Sequence, residues 1–127
     1  MIQFLKLLFH VSVIFLIMIS LSPGSLIGYL LYGDWAREPI LIENRFGTAI
    51  NHFICYICIS FLGFFLYLRN KNFQNLFYGL LFLSIFLEVL QFIIPIRTFQ
   101  WSDLFGNVLG VLVAYFLVKI YQLYIKP

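Results

Sequence analysis

Two carboxylates, Glu88 and Asp103, lie within apolar stretches of the sequence, and each has an amide side chain at helical spacing. Gln91 follows Glu88 by three residues, and Asn107 follows Asp103 by four. Residues three or four apart lie on one face of an α-helix, so each pair is predicted to share a face. Ionisable groups are costly in apolar surroundings and are by default candidates for function. Proton exchange or recognition of a hydrogen-bonding ligand is the chemistry that these side chains favour.

A histidine and an arginine extend this set. His52 lies in an earlier apolar segment, four residues before Tyr56, and Arg97 lies between Glu88 and Asp103. Glu88 or His52 is a candidate general base, and Arg97 is a candidate for holding an anion such as a phosphate. The spacing leaves open whether Arg97 reaches Glu88 or pairs with Asp103. The predicted catalytic candidates are Glu88, His52 and Asp103, and the predicted binding residues are Gln91, Arg97, Asn107 and Tyr56.

Three interpretations of these side chains stay open. They form a binding or catalytic site, or they hydrogen-bond to one another and fix the register of the helices, as polar groups in membrane proteins do. The third and least favoured interpretation is a metal site formed by His52, Asp103 and Glu88. We predict neither a metal nor another cofactor.

The composition predicts an integral membrane protein in a lipid bilayer. Hydrophobic residues make up 63% of the 127 residues and charged residues only 10%, with a mean hydropathy of +1.00, whereas about 25% of residues are charged in soluble domains. The eight basic residues are scattered rather than clustered, which argues against nucleic acid as a partner. At this length the chain is predicted to form one domain, residues 1–127.

Four apolar segments are close to the roughly 20 residues that a helix needs to cross a bilayer. The predicted spans are residues 5–21, 48–68, 76–94 and 101–120. An alternative for the first is a secretory signal with Ser20-Leu21-Ser22 as the cleavage site, although its apolar run is long for a signal. The expected fold is all-α, a polytopic membrane protein with a bundle of four transmembrane helices. Charges and aromatic residues after the first span predict an interfacial first extracytoplasmic loop. Within it, a simple aromatic belt is favoured over a short interfacial helix at 26–32.

The third and fourth spans are expected to be antiparallel neighbours, because a connection of only about six residues joins them. Depth along the two helices is counted from this connection at about 1.5 Å per residue. On this count Arg97 and Asp103 are predicted at the end of the helix pair next to the connection, and Glu88 at the level of Gly110. The residues assigned to helix packing are Gly106, Gly110 and Pro95. The two glycines form a small-xxx-small step that lets a neighbouring backbone approach, and they are expected to leave space for Glu88.

The positions of lysine and arginine predict the orientation of the spans. With the N-terminus in the cytoplasm, the basic residues inside are Lys6, Arg69, Lys71, Lys119 and Lys126, and those outside are Arg37, Arg45 and Arg97. Both termini are therefore predicted to be cytoplasmic, and the pocket that the polar residues form is predicted to lie on the outer side of the membrane.

The order and spacing of the polar residues resemble the VanZ-like family of small bacterial membrane proteins. The resemblance rests on Glu88-x-x-Gln91, Ile94-Pro95-x-Arg97 and Asp103-Leu104-x-x-Asn107-x-x-Gly110, with His52-Phe53-x-x-Tyr56 on an earlier span. It covers about the whole chain. One departure is that the family often has an Asp-Lys pair just before the histidine, where this chain has Ala49-Ile50-Asn51.

The resemblance implies a multi-pass protein of the bacterial cytoplasmic (inner) membrane, in a family whose founding member is associated with resistance to the glycopeptide teicoplanin. It implies a role in the cell envelope or in the response to glycopeptides. The polar residues would engage the headgroup of a lipid-linked cell-wall precursor or of a glycopeptide. Two alternatives stay open: a membrane hydrolase or transferase acting on a lipid-linked phosphate ester, and a scaffold whose polar residues only fix helix packing. Whether the protein is an enzyme is left undecided.

Overall fold

Five α-helices make up the computed structural model, which describes residues 1–39 and 47–125. They are α1 (Ile2–Leu21), α2 (Leu26–Tyr32), α3 (Ala49–Leu66), α4 (Phe73–Leu90) and α5 (Trp101–Ile125), and no strand occurs in those two ranges. All but α2 are long and apolar enough to cross a membrane. The predicted all-α polytopic membrane fold is thus confirmed. Arg45 and Lys126, which entered the orientation argument, lie outside the described residues.

The central pair of the bundle is α3 and α5, whose backbones touch along the glycines of α5. A Cβ atom added at Gly106 would lie 2.5 Å from the carbonyl oxygen of Ala49, and one added at Gly110 would lie 2.8 Å from that of Phe53. Only glycine permits such an approach between helices. The space beside both glycines was expected to hold Glu88. It is filled by the backbone of α3, whereas Glu88 lies on α4.

The apolar core lies between α3, α4 and α5, and α1 packs on its edge. Its buried members include Tyr56, Phe64, Leu80, Leu87, Val111, Ala114 and Val118. On α1, Phe9 is only 4% exposed, and a Cβ atom added at Gly63 would lie 2.6 Å from its ring. Leu16 of α1 is buried as well, at 7% exposed, whereas other apolar side chains of this helix, such as Leu7 and Val11, are exposed, as expected for a helix in contact with lipid.

The connection between α4 and α5 runs from residue 91 to residue 100, because α4 ends at Leu90 and not at Ile94 as predicted. In a helix that continued through this segment, the ring of Pro95 would clash with the carbonyl of Gln91, four residues earlier, and Pro95 disfavours helical dihedrals at Ile94. The last turn tightens accordingly: the amide of Gln91 donates to the Glu88 carbonyl at 3.1 Å. The connection is thus longer than predicted and has room to fold back over the end of the bundle.

One residue of this connection, Ile96, has a φ of 66°. The left-handed conformation costs a residue with a side chain roughly 1–2 kcal/mol. Glycine avoids this cost, but it loses more conformational entropy on folding, which reduces the gain in stability. We therefore expect Ile96→Gly to raise the free energy of unfolding by up to about 1 kcal/mol. The measurement is unfolding of the purified protein in detergent by a denaturant, followed by tryptophan fluorescence. Ile94→Gly is the control and should lower stability. Equal losses in both variants would contradict the assignment of strain.

The segment after α1 forms the short helix α2 at Leu26–Tyr32, the less favoured of the two interpretations of this segment. The Ser25 side chain caps α2 by accepting a hydrogen bond from the amide of Gly28 at 2.9 Å. The amide of Ser25 in turn donates to the carbonyl of Trp35 at 2.7 Å, and the Trp35 ring stacks on Tyr29 at a centroid distance of 4.4 Å. These contacts fix the chain that carries Glu38 towards the α4–α5 connection.

Candidate functional site

Glu88 is a carboxylate in the last turn of α4, and it is 1% exposed. Its Oε2 accepts a hydrogen bond from Nδ2 of Asn107 at 3.1 Å, and its Oε1 accepts one from the backbone amide of Gln100 at 3.5 Å. Glu88 is thus level with Asn107 and faces the start of α5, about one turn nearer the connection than the predicted level of Gly110. The early end of α4 and the fold-back of the connection account for this difference.

Asn107 links all three central helices. Its Oδ1 lies 2.9 Å from Nδ1 of His52 on α3. Its Nδ2 donates to Glu88 and, at 3.4 Å, to the backbone carbonyl of Ser84 on α4. Every hydrogen-bonding atom of this 1%-exposed amide therefore has a partner, and Asn107 holds the imidazole and the carboxylate beside each other.

His52 lies between the two carboxylates. Its Nε2 is 3.6 Å from Oδ2 of Asp103, and its Nδ1 is 4.0 Å from Oε2 of Glu88. Both ring nitrogens therefore face oxygen atoms of the cluster. The His52 side chain is 23% exposed, against 6% for Asp103 and 1% for Glu88, so the imidazole is the most accessible of the three.

Asp103 lies in the first turn of α5, where the helix dipole favours a negative charge. Both of its oxygens lie 3.0 Å from the hydroxyl of Thr48, which donates to them from the start of α3. The sequence interpretation did not include Thr48, because a threonine at the beginning of an apolar segment carries no distinguishing pattern. We refer to Thr48, His52, Glu88, Asp103 and Asn107 as the polar cluster.

The polar cluster has more acceptor capacity than donors. The four carboxyl oxygens of Glu88 and Asp103 can each accept more than one hydrogen bond. Within the described residues they meet the Thr48 hydroxyl, the Gln100 amide, the Asn107 amide and the His52 ring. Buried charge is costly unless it is paired. The surplus of acceptors therefore favours a ligand that brings hydrogen-bond donors or positive charge.

Arg97 does not join the polar cluster and pairs with neither Glu88 nor Asp103. Its Nη1 lies 3.2 Å from Oε1 of Glu38, and its Nη2 donates to the carbonyl of Ile19 at 2.9 Å. The carbonyls at a helix end lack partners within the helix and attract positive charge. Arg97 thus fastens the C-terminal end of α1 to the connection, and it is not placed to hold an anion beside the polar cluster.

The other sequence candidates are placed outside the polar cluster. Tyr56 is 2% exposed and belongs to the apolar core, and Pro95 lies exposed in the connection. Gln91 follows the end of α4 and is 4% exposed. No three side chains of the metal-ligating types are arranged as a metal site in residues 1–39 and 47–125.

Comparison with known proteins gives one match that spans the described helices. The family model for VanZ/LLP1 matches residues 7–122, a range that contains the whole polar cluster. No curated protein and no solved structure matches the chain.

Proposed function

The chain belongs to the VanZ/LLP1 family, and on that premise we propose that it is a cell-envelope protein of the bacterial cytoplasmic membrane that binds a polar headgroup at the polar cluster. The ligand class is a lipid-linked cell-wall precursor or a glycopeptide such as teicoplanin. Both present hydroxyl and nitrogen donors on an otherwise bulky, partly apolar molecule. The surplus of acceptors at Glu88 and Asp103 is the observation that carries the proposal.

Access supports a binding role. The two carboxylates are almost fully buried, whereas His52 is 23% exposed, so a headgroup would reach the cluster beside the imidazole. A hydrogen-bond donor on the headgroup would bond to a carboxyl oxygen of Asp103. The other side chains of the polar cluster would orient the headgroup. Hydrogen bonds to charged groups contribute about 1.5–3 kcal/mol each.

The distribution of charge supports an orientation with both termini in the cytoplasm. Lys6, Arg69, Lys71 and Lys119 lie towards one end of the bundle, at the start of α1, the α3–α4 turn and the second half of α5. All described acidic residues lie towards the other end: Asp34, Glu38, Glu88 and Asp103. Cytoplasmic segments carry an excess of lysine and arginine. In this orientation the polar cluster faces the outer leaflet.

A second candidate is a hydrolase or transferase acting on a lipid-linked phosphate ester. The contact between His52 and Asp103 favours it, because an accessible imidazole beside a buried carboxylate is a common general base. His52 would take the proton of a water or an acceptor hydroxyl as that oxygen bonds to phosphorus. The bond from phosphorus to the lipid oxygen would break, and the leaving lipid alkoxide would take the proton from His52. The engagement of Arg97 with Glu38 and α1 counts against it, because Arg97 cannot also neutralise the phosphate.

The test is the affinity of the purified full chain for teicoplanin and, separately, for a lipid-linked disaccharide pyrophosphate. We expect Asp103→Asn to weaken binding of the ligand about tenfold or more, since it removes a charged acceptor and keeps the shape of the side chain. Asp34→Asn is the control, because Asp34 is an exposed carboxylate at the same end, and its hydrogen bond among the described residues is a local one from the amide of Ala36.

Three outcomes separate the interpretations. Weaker binding by Asp103→Asn with wild-type thermal stability supports the proposal. Turnover of the pyrophosphate that depends on His52 would favour the enzyme instead. Lack of binding to either probe by the wild-type protein, together with a large loss of stability in Asp103→Asn, would favour the scaffold.

A further inference from the structure

A second polar surface lies at the opposite end of the bundle from the polar cluster. It is a groove of about 810 Å³ between the α3–α4 turn, the first turn of α4 and the last turns of α5. Its polar lining residues include Arg69, Asn70, Lys71, Gln74, Lys119 and Gln122. We call it the basic groove. Glu88 is in the last turn of α4, so the length of that helix separates the two surfaces.

The basic groove holds three cations and lacks a neutralising acid. The acidic residues of the whole chain are Asp34, Glu38, Glu43, Glu88 and Asp103. None of them lies between residues 44 and 87 or after residue 103, so the segments that line the groove carry no carboxylate side chain. Within residues 47–125, Arg69, Lys71 and Lys119 therefore attract an anion without competition from an acidic side chain of the groove.

The position of Lys119 is fixed by aromatic rings. Its Nζ lies 5.0 Å from the ring centroid of Phe73 and 5.7 Å from that of Tyr115, distances at which a cation is attracted to the ring face. The side chain of Gln122 donates to the carbonyl of Leu68 at 2.6 Å. This bond ties α5 to the turn and holds the two walls of the groove together.

The start of α4 adds to the positive potential. The N-cap residue Asn72 makes no side-chain capping bond, and the first turn of α4 contains no acidic residue. In the described part of the chain, the amide of Phe73 donates to the carbonyl of Asn70 at 3.0 Å, and the next amides of the first turn are left without a capping side chain. A helix N-terminus in this state binds anions, and phosphate in particular.

We propose that the basic groove binds the phosphate headgroup of an anionic phospholipid. Helices α3, α4 and α5 are membrane spans by length and hydropathy, so a groove at their ends lies at the level of the lipid headgroups. Leu68, Phe73 and Ile125 add apolar walls to it, which suit the glycerol and the first acyl carbons of a lipid and not a free phosphate ion. Basic pockets between transmembrane helices recognise anionic lipids by the same chemistry.

The test is the affinity of the purified full chain for phosphatidylglycerol, measured by native mass spectrometry in a zwitterionic detergent, with phosphatidylcholine as the reference lipid. Each lysine or arginine near an anionic headgroup contributes about 1 kcal/mol, so Arg69→Gln/Lys71→Gln should weaken phosphatidylglycerol binding about thirtyfold. Lys6→Gln is the matched control. It removes a cation from the same end, but Lys6 lies over the Tyr67 ring at 5.4 Å and does not line the groove.

Four outcomes decide the proposal. A selective loss in the double variant, with Lys6→Gln and phosphatidylcholine binding unchanged, supports it. Lys119→Gln should then weaken binding as well, because it changes a residue on the other wall. Equal losses in the double variant and in Lys6→Gln would overturn the proposal in favour of diffuse attraction. Saturation of the groove by inorganic phosphate at the same affinity as by phosphatidylglycerol would overturn it in favour of a free anion.

Discussion

Replacing Asn107 with leucine is expected to lower the free energy of unfolding by about 3 kcal/mol, because it leaves a buried carboxyl oxygen without its side-chain hydrogen-bond donor. Glu88 is 1% exposed and loses the side-chain donor that lies 3.1 Å from its Oε2. The Ser84 carbonyl and the His52 ring lose a contact in the same substitution. The measurement is equilibrium unfolding of the purified protein in mixed micelles.

A double-mutant cycle makes this prediction specific. In Glu88→Leu/Asn107→Leu both partners are apolar, so the cost should be clearly smaller than the sum of the two single changes. Gln122→Leu is the control, because it also replaces an amide side chain with leucine. Gln122 likewise donates to a backbone carbonyl, but at the far end of α5 from the polar cluster. Additive losses in the cycle would contradict the direct link between Glu88 and Asn107.

The second large effect is expected for Gly110→Ala, at about 3 kcal/mol of lost stability. The added methyl group would lie 2.8 Å from the carbonyl oxygen of Phe53 and 2.9 Å from the amide nitrogen of Ile57. Both are backbone atoms, which cannot rotate away as a side chain would. Helices α3 and α5 must therefore separate, and His52 would move away from Asp103 and Asn107.

Gly79→Ala is the matched control for this substitution. Gly79 also lies within a helix, but a Cβ atom there meets no atom within 4 Å, so alanine should be neutral or stabilise the protein by up to about 1 kcal/mol. Thermal unfolding of both variants in the same detergent measures the contrast. A Gly110→Ala protein as stable as the Gly79→Ala protein would contradict the backbone contact between α3 and α5.

The helices were predictable from the sequence because a membrane span needs only length and hydropathy, and both are local properties. The C-terminal end of α4 was less predictable from the sequence. Pro95 acts four residues upstream on the carbonyl of Gln91, and the i to i−3 bonds that follow shorten the helix to Leu90. The longer connection then shifted the predicted depth of Glu88 by about one turn.

The contacts between helices were predictable only in part. Helical spacing indicated that the amides and carboxylates of α4 and α5 share faces, and the structure brings Glu88, Asp103 and Asn107 together with His52. The spacing of Gly106 and Gly110 indicated a close approach but not its partner, which is α3. The partners of Arg97 could not be predicted, because two of them are backbone carbonyls at the C-terminal end of α1, those of Ile19 and Ser22, and carbonyls have no signature in a sequence.

The most direct test of the proposed binding role is the imidazole NMR spectrum of the histidine-labelled full chain during titration with teicoplanin or the lipid-linked disaccharide pyrophosphate. The chain has two histidines, and His10 is an internal control because it lies on α1 with its Nδ1 2.6 Å from the Lys6 carbonyl. We predict a saturable change in the His52 resonances with at least one probe, no change at His10, and loss of the change in Asp103→Asn. Resonances of His52 that stay unchanged with both probes, or that move together with those of His10, would contradict a ligand site at the polar cluster.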